Sequence, residues 1–180
     1  MLQRIQTVYL FFAVFAFCLA FFFPIARYAA PIEQTHQTVK SELNLIPKTV
    51  ASDGIDMAQG LSEYVYPTEK GFIKTWPLVT LIVLCMAIAA ISIALFSNRV
   101  LQMRIVACGF MLGVVYIFLV FIWAVDAYGK AFSSIIGAAE PAVTWSIGTW
   151  APVAGTILMF LAQRAIRSDE MKVRSADHLR

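Results

Sequence analysis

Uncharged apolar runs alternate with short charged segments along this chain. Four stretches contain no Asp, Glu, Lys or Arg: residues 5–26, 75–98, 105–125 and 141–163, of 22, 24, 21 and 23 residues. An α-helix needs about 20 apolar residues to cross the hydrocarbon core of a bilayer, so each run predicts one crossing. The predicted division is a transmembrane helix within residues 1–27, an extracytoplasmic loop over 28–74, transmembrane helices at 75–98, 105–125 and 141–163, and a charged helical tail over 164–180. Within the loop, QTVKSELNLI alternates, with Val39, Leu43 and Leu45 on one side and Lys40, Glu42 and Asn44 on the other. That is the pattern of a half-buried strand. Asp53-Gly54 lies between short β-prone segments and predicts a hairpin turn, and SEYVYP is a third strand candidate. In the second outer loop, AFSSIIGAA is expected to be partly helical and interfacial. The expected fold is an all-α membrane protein: a four-transmembrane-helix bundle with a small extracytoplasmic β cap between helices 1 and 2.

Composition supports the membrane reading. The chain has 180 residues, 60% of them hydrophobic and 14% charged, with a mean hydropathy of +0.75. A soluble domain of this length has more charge. The first apolar run, VYLFFAVFAFCLAFFFPIA, exceeds the 7–15 residue core of a secretory signal and is read as an uncleaved span. Orientation follows from the lysines and arginines. With both termini cytoplasmic, the inner side holds eight bases against three acids, and the outer side six bases against eight acids. The short loop SNRVLQMR, with two arginines and no acid, argues the same way. Trp76, Trp123, Trp145 and Trp150 then fall at or toward the outer ends of spans, where amphipathic rings settle. The expected location is the bacterial inner membrane, multi-pass. Cys18, Cys85 and Cys108 all lie inside spans, so no disulfide framework is expected.

Helix association in lipid depends on close backbone approach. Gly109-x-x-x-Gly113, Ala151-x-x-x-Gly155 and Ala90-x-x-x-Ala94 place small residues at helical spacing and are candidate packing positions. Pro77 and Pro141 are expected in the first turns of spans two and four, where a missing N–H is harmless. Pro152, inside span four, is expected to kink that helix or loosen its backbone.

The chemistry that is missing bears most on function. No Asp, Glu, Lys, Arg or His lies inside any span, and such residues are what mark ion paths, proton relays and catalysis in membranes. His36 and His178 lie outside the spans without metal-ligand neighbours at useful spacing. No HExxH, GxSxG, Walker A or GxGxxG pattern occurs. No catalytic residue, metal or cofactor is expected, and no basic, aromatic-interleaved stripe suggests nucleic acid.

The tail is the densest charged segment, with five bases and three acids over residues 164–180. Glu170 and Arg174 are four apart with the acid first, the favourable order on a helix. Such a mixed charge does not make a polybasic lipid anchor. Asp169, Glu170, Arg174, Asp177 and Arg180 are candidate contacts for a cytoplasmic partner. The two ends also carry a resemblance. Gln3, Arg4, Ile5, Gln6 and Tyr9 at the front, with Asp169, Glu170, Val173, Arg174, Ser175, Asp177, Leu179 and Arg180 at the back, resemble a family of four-span proteins of Bacteroidetes-type bacteria catalogued as domain of unknown function 4293. The resemblance extends over essentially the whole chain, with His178 where the familiar ending has Arg. It implies an inner-membrane protein, implies no activity, and suggests that the two ends meet on the cytoplasmic side.

Three functional readings follow. The first is a non-enzymatic accessory or scaffold subunit of an envelope membrane complex, in contact with lipids and with a membrane-protein partner or further copies of itself. The second is a carrier or pore for a neutral or lipidic small molecule, with Thr149, Thr156 and Tyr116 lining a cavity beside Pro152. The third is an enzyme acting at the outer face through Asp126, Glu140 or His36.

Overall fold

The computed structural model describes residues 3–31, 38–46, 75–95, 98–136 and 141–177. The chain is mostly helical. Helix α1 covers Gln3–Phe22, α2 Trp76–Ala94 and α3 Arg99–Phe118. A π-helical turn, Leu119–Ala124, carries α3 without a break into α4, Val125–Ile136. Helix α5 runs over Ile147–Asp177. Strands β1 (Ala26–Pro31), β2 (Thr38–Leu43) and β3 (Ala142–Trp145) form one small sheet. Three helical stretches are long and apolar enough to cross a membrane: Ile5–Phe22, Trp76–Ala94 and Arg99–Ser134. These mark a membrane protein.

Two compact units make up the chain. The first comprises Met1–Leu19, Thr80–Ile117 and Ala151–Arg180. Its buried positions repeat every three or four residues: Gln6, Leu10, Ala13 and Phe17 on α1; Ile82, Cys85, Ala89 and Ser92 on α2; Gln102, Val106, Gly109, Gly113 and Tyr116 on α3; Met159, Ala162, Ile166 and Asp169 on α5. This spacing places one stripe of each helix inward. The outward faces are just as apolar, with Phe11, Phe15, Met111 and Phe118 exposed. Lipid, unlike water, does not penalise them.

Small residues set the closest approaches. A side chain begun at Gly109 would strike the Met159 methyl and, at 2.7 Å, Ile88. One begun at Gly113 would meet the Thr156 hydroxyl at 2.5 Å, and one at Gly155 the Phe17 ring at 3.2 Å. Ala151 is buried as well. Ala90 and Ala94 face outward, contrary to the packing role their spacing suggested, because Ala89 and Ser92 occupy the inward stripe of α2.

The second unit comprises Ala20–Val79 and Phe118–Trp150. Its sheet has the order β2-β1-β3, antiparallel throughout, with Tyr28 opposite Ser41 and Val143. Helix α1 stops before Pro24, whose ring is incompatible with a helix interior and extends the residue before it. Residues 26 and 27 therefore open a strand and are not the end of a span. Alternation then sets the faces. Ala26, Tyr28 and Ala30 of β1, with Ser41, Leu43 and Leu45, are buried. On the other face Arg27 meets Glu42 at 3.0 Å. Helix α4 covers the buried face. Tyr28 packs on Tyr128 and Phe132, with ring centroids 4.9 and 6.1 Å away, and donates to the Val125 carbonyl at 2.8 Å. Tyr128 and Ser41 share a hydrogen bond of 2.7 Å. Burial first, then the charges of Tyr128 and Asp126, push the Tyr28 phenol well above its ordinary range. It stays a donor at any physiological pH.

Strand β3 corrects the sequence reading at residues 141–163. Hydropathy alone joined 142–145 to the span, but AVTW is β-prone and completes the sheet beside β1. Pro141 accordingly precedes a strand and does not open a helix, whereas Pro77 is the second residue of α2. The segment after residue 125 is more helical than expected, since α4 covers Val125–Ile136. The hairpin turn at Asp53-Gly54 and the strand candidate SEYVYP lie outside the described residues. The observed pairing joins 26–31 to 38–43. All four tryptophans belong to this second unit, and each is at least 40% exposed.

Candidate functional site

The inward stripes of the first unit carry, apart from the Tyr116 and Thr156 hydroxyls, their polar side chains at one end. There α1 begins with Gln6, α2 finishes with Ser92, α3 begins with Gln102 and α5 carries Asp169. All four side chains are buried, with Gln6 and Asp169 each only 6% exposed. Buried polar groups are costly unless they are paired, and here each has a partner. The Gln6 amide Nε2 donates to the Asp169 carboxylate, a contact between residues 163 positions apart in sequence. Gln102 Nε2 donates to the Ser92 carbonyl at 2.9 Å, at the end of α2 where carbonyls lack helical partners. The Ser92 hydroxyl donates back to Ile88 at 2.7 Å. This polar layer clasps the first helix to the last and the second to the third. Its directional bonds fix a register that apolar packing alone leaves loose.

Asp169, a candidate partner contact by sequence, is thus turned inward and held by Gln6. Glu170 beside it is partly exposed. Arg174 and Asp177 lie on the last turns of α5, with side chains outside the described residues, as is Arg180 altogether. Gln102 had no place among the sequence-based candidates. Its signal was spacing: it stands four residues before Val106, in line with Gly109 and Gly113.

The hydroxyls proposed for a cavity are mostly engaged. Thr149 donates to Ile25 at 2.6 Å and Thr156 to Pro152 at 2.9 Å. The second bond offers a local hydroxyl to the turn that Pro152 disturbs, and α5 continues through it. The buried Tyr116 hydroxyl has no hydrogen-bond partner among the described residues. Of the outer-face candidates, Asp126 is exposed and bonded to Lys130 at 2.7 Å, while Glu140 and His36 lie outside the described residues. Among the described residues no three His, Cys, Asp or Glu side chains gather as a metal site. Cys18, Cys85 and Cys108 are free thiols.

The clasp joins the two segments that carried the family resemblance. The family described as Domain of unknown function (DUF4293) matches residues 2–179. The chain belongs to that family. The DUF4293 match takes in both partners of the clasp, all the helices and the sheet. No curated protein matches the chain.

Proposed function

We propose that this DUF4293 protein is a four-span protein of the bacterial inner membrane, with both termini cytoplasmic, acting as a non-enzymatic accessory or scaffold subunit of an envelope membrane complex. The Gln6–Asp169 bond carries the topological part. It needs the start of α1 and the far half of α5 on one side of the membrane, hence an even number of crossings. Three helices qualify by hydropathy, and α5 supplies the fourth. It is uncharged from Ile147 to Gln163 and has 31 residues in all. At 1.5 Å per residue it reaches about 46 Å, beyond the roughly 30 Å hydrocarbon core. Gly148 and Thr149 in its first turn, with Pro152 beyond them, lower its hydropathy without adding charge. The eight bases assigned to the clasped side favour the cytoplasm.

The accessory role is supported by how the polar groups are used. Those buried in the polar layer hold helices together, and the Thr149 and Thr156 hydroxyls bond backbone carbonyls. On this reading the charged segment beyond Asp169 supplies the partner contact. The buried Tyr116 hydroxyl, without a hydrogen-bond partner among the described residues, favours instead a carrier for a small neutral molecule.

The test is affinity recovery of the tagged full chain and of a chain ending at Asp169, from native membranes in mild detergent. Ending there spares the clasp. The expected result is a stoichiometric membrane partner with the full chain and its loss from the truncated one. A partner held equally by both would remove the tail from the interface. Neither chain bringing a partner would overturn the accessory reading.

A further inference from the structure

Helices α3 and α5 pack antiparallel in the first unit. Gly113 meets Thr156, Gly109 meets Met159, and the Phe110 and Phe160 rings lie 5.5 Å apart. This register brings Met103 of α3 level with Arg164 and Arg167 of α5, and Arg99 within about one turn of Arg167 and two turns of Arg164. The stripes match in character as well as level. Arg99, Met103 and Phe110 are partly exposed along one side of α3. Phe160, Arg164 and Arg167 form an exposed line on α5. The seam between them is therefore aromatic and apolar in its depth and triply cationic at its mouth. None of the three arginines has an ion-pair or hydrogen-bond partner among the described residues. Of the acids beside them on α5, Asp169 is buried against Gln6, and Glu170, one turn from Arg167, is partly exposed.

We infer that this seam binds an anionic phospholipid, its phosphate headgroup on Arg99, Arg164 and Arg167 and its acyl chains along Met103, Phe110 and Phe160. Charge complementarity selects the headgroup, because guanidinium forks pair bidentately with phosphate oxygens. The position selects a lipid: the arginines lie where uncharged span gives way to charged segment, at headgroup depth, and the apolar part runs from there into the hydrocarbon layer. The lipid would brace the α3–α5 contact from outside, next to the clasp that braces the bundle from within. The inference needs only that these helices cross a bilayer and does not depend on a protein partner. Its failure would leave the accessory reading standing, and the reverse.

The purified full chain, titrated with phosphatidylglycerol or phosphatidylcholine and followed by native mass spectrometry, tests it. The chain is expected to retain phosphatidylglycerol preferentially. Arg164→Gln with Arg167→Gln is expected to weaken that binding about thirtyfold, at roughly fivefold per base near a membrane surface. Arg104→Gln removes an equal charge per site from the outward face of α3, off the seam, and should leave binding unchanged. Thermal unfolding of each variant in lipid-free detergent checks that the fold persists. Equal retention of the two lipids, or equal weakening by the Arg104 substitution, would overturn the seam as a site.

Discussion

Adding one methyl group at Gly148 is expected to destabilise the second unit by about 3 kcal/mol, the upper range for overpacking combined with lost hydrogen bonds. A Cβ there would strike the Phe23 carbonyl oxygen and stand 2.5 Å from the Pro24 oxygen and 2.7 Å from its carbon. These are backbone atoms, which cannot swing aside as a side chain can. They also belong to a joint. Gly148 N–H donates to Pro24 at 3.1 Å, Ser146 N–H to Ile25 at 3.1 Å, and the Thr149 hydroxyl to Ile25 at 2.6 Å. Displacing Pro24 strains all three bonds and the lead into β1. Gly155→Ala is the control. Its methyl would meet the Phe17 ring at 3.2 to 3.3 Å, where a small ring movement suffices, so a loss below about 1 kcal/mol is expected. Thermal unfolding in detergent should place Gly148→Ala well below both the parent chain and Gly155→Ala. Coincident melting of the two variants would mean that the joint is loose.

The clasp predicts the second large effect. Gln6→Leu leaves the Asp169 carboxylate buried without its donor, and Asp169→Leu leaves the Gln6 amide without its acceptor. Each single change is expected to cost about 2 kcal/mol, in the range for hydrogen bonds to charged groups. The double substitution should cost less than the sum, because two apolar side chains of suitable size can pack where an orphaned polar group cannot. A coupling of about 1.5 kcal/mol or more in a double-mutant cycle is the expected outcome. Strict additivity would show that the two side chains do not stabilise one another.

These two sites differ in how far the sequence announces them. Helical spans were legible because lipid imposes a length and excludes charge, and three of the four uncharged windows contain helices of the expected kind. The strand parity of residues 38–45 was legible because one face is buried and the other holds Lys40 and Glu42. The third strand was not. Val143, Thr144 and Trp145 are uncharged like the run they open, and the absence of charge carries no information about backbone conformation. Nor was the inward stripe of α2, since its inward and outward surfaces have the same polarity. That is why Ala90 and Ala94 were placed inside while Ala89 and Ser92 hold that position. The clasp was half legible. Gln6 and Asp169 stood among the residues of the family resemblance, but only the fold shows that Asp169 points inward to Gln6.

Membrane-impermeant labelling of single cysteines tests the central claim, that the clasped ends share one side of the membrane. Cys18, Cys85 and Cys108 are first replaced, and cysteine is then introduced singly for Leu2, Lys40 or Lys172. Lys40→Cys is expected to label in cells with a permeabilised outer membrane and an intact inner membrane, and Leu2→Cys and Lys172→Cys only after the inner membrane is opened. Labelling of positions 2 and 172 from opposite sides would mean that α5 does not cross, and that Gln6 and Asp169 cannot meet in the membrane.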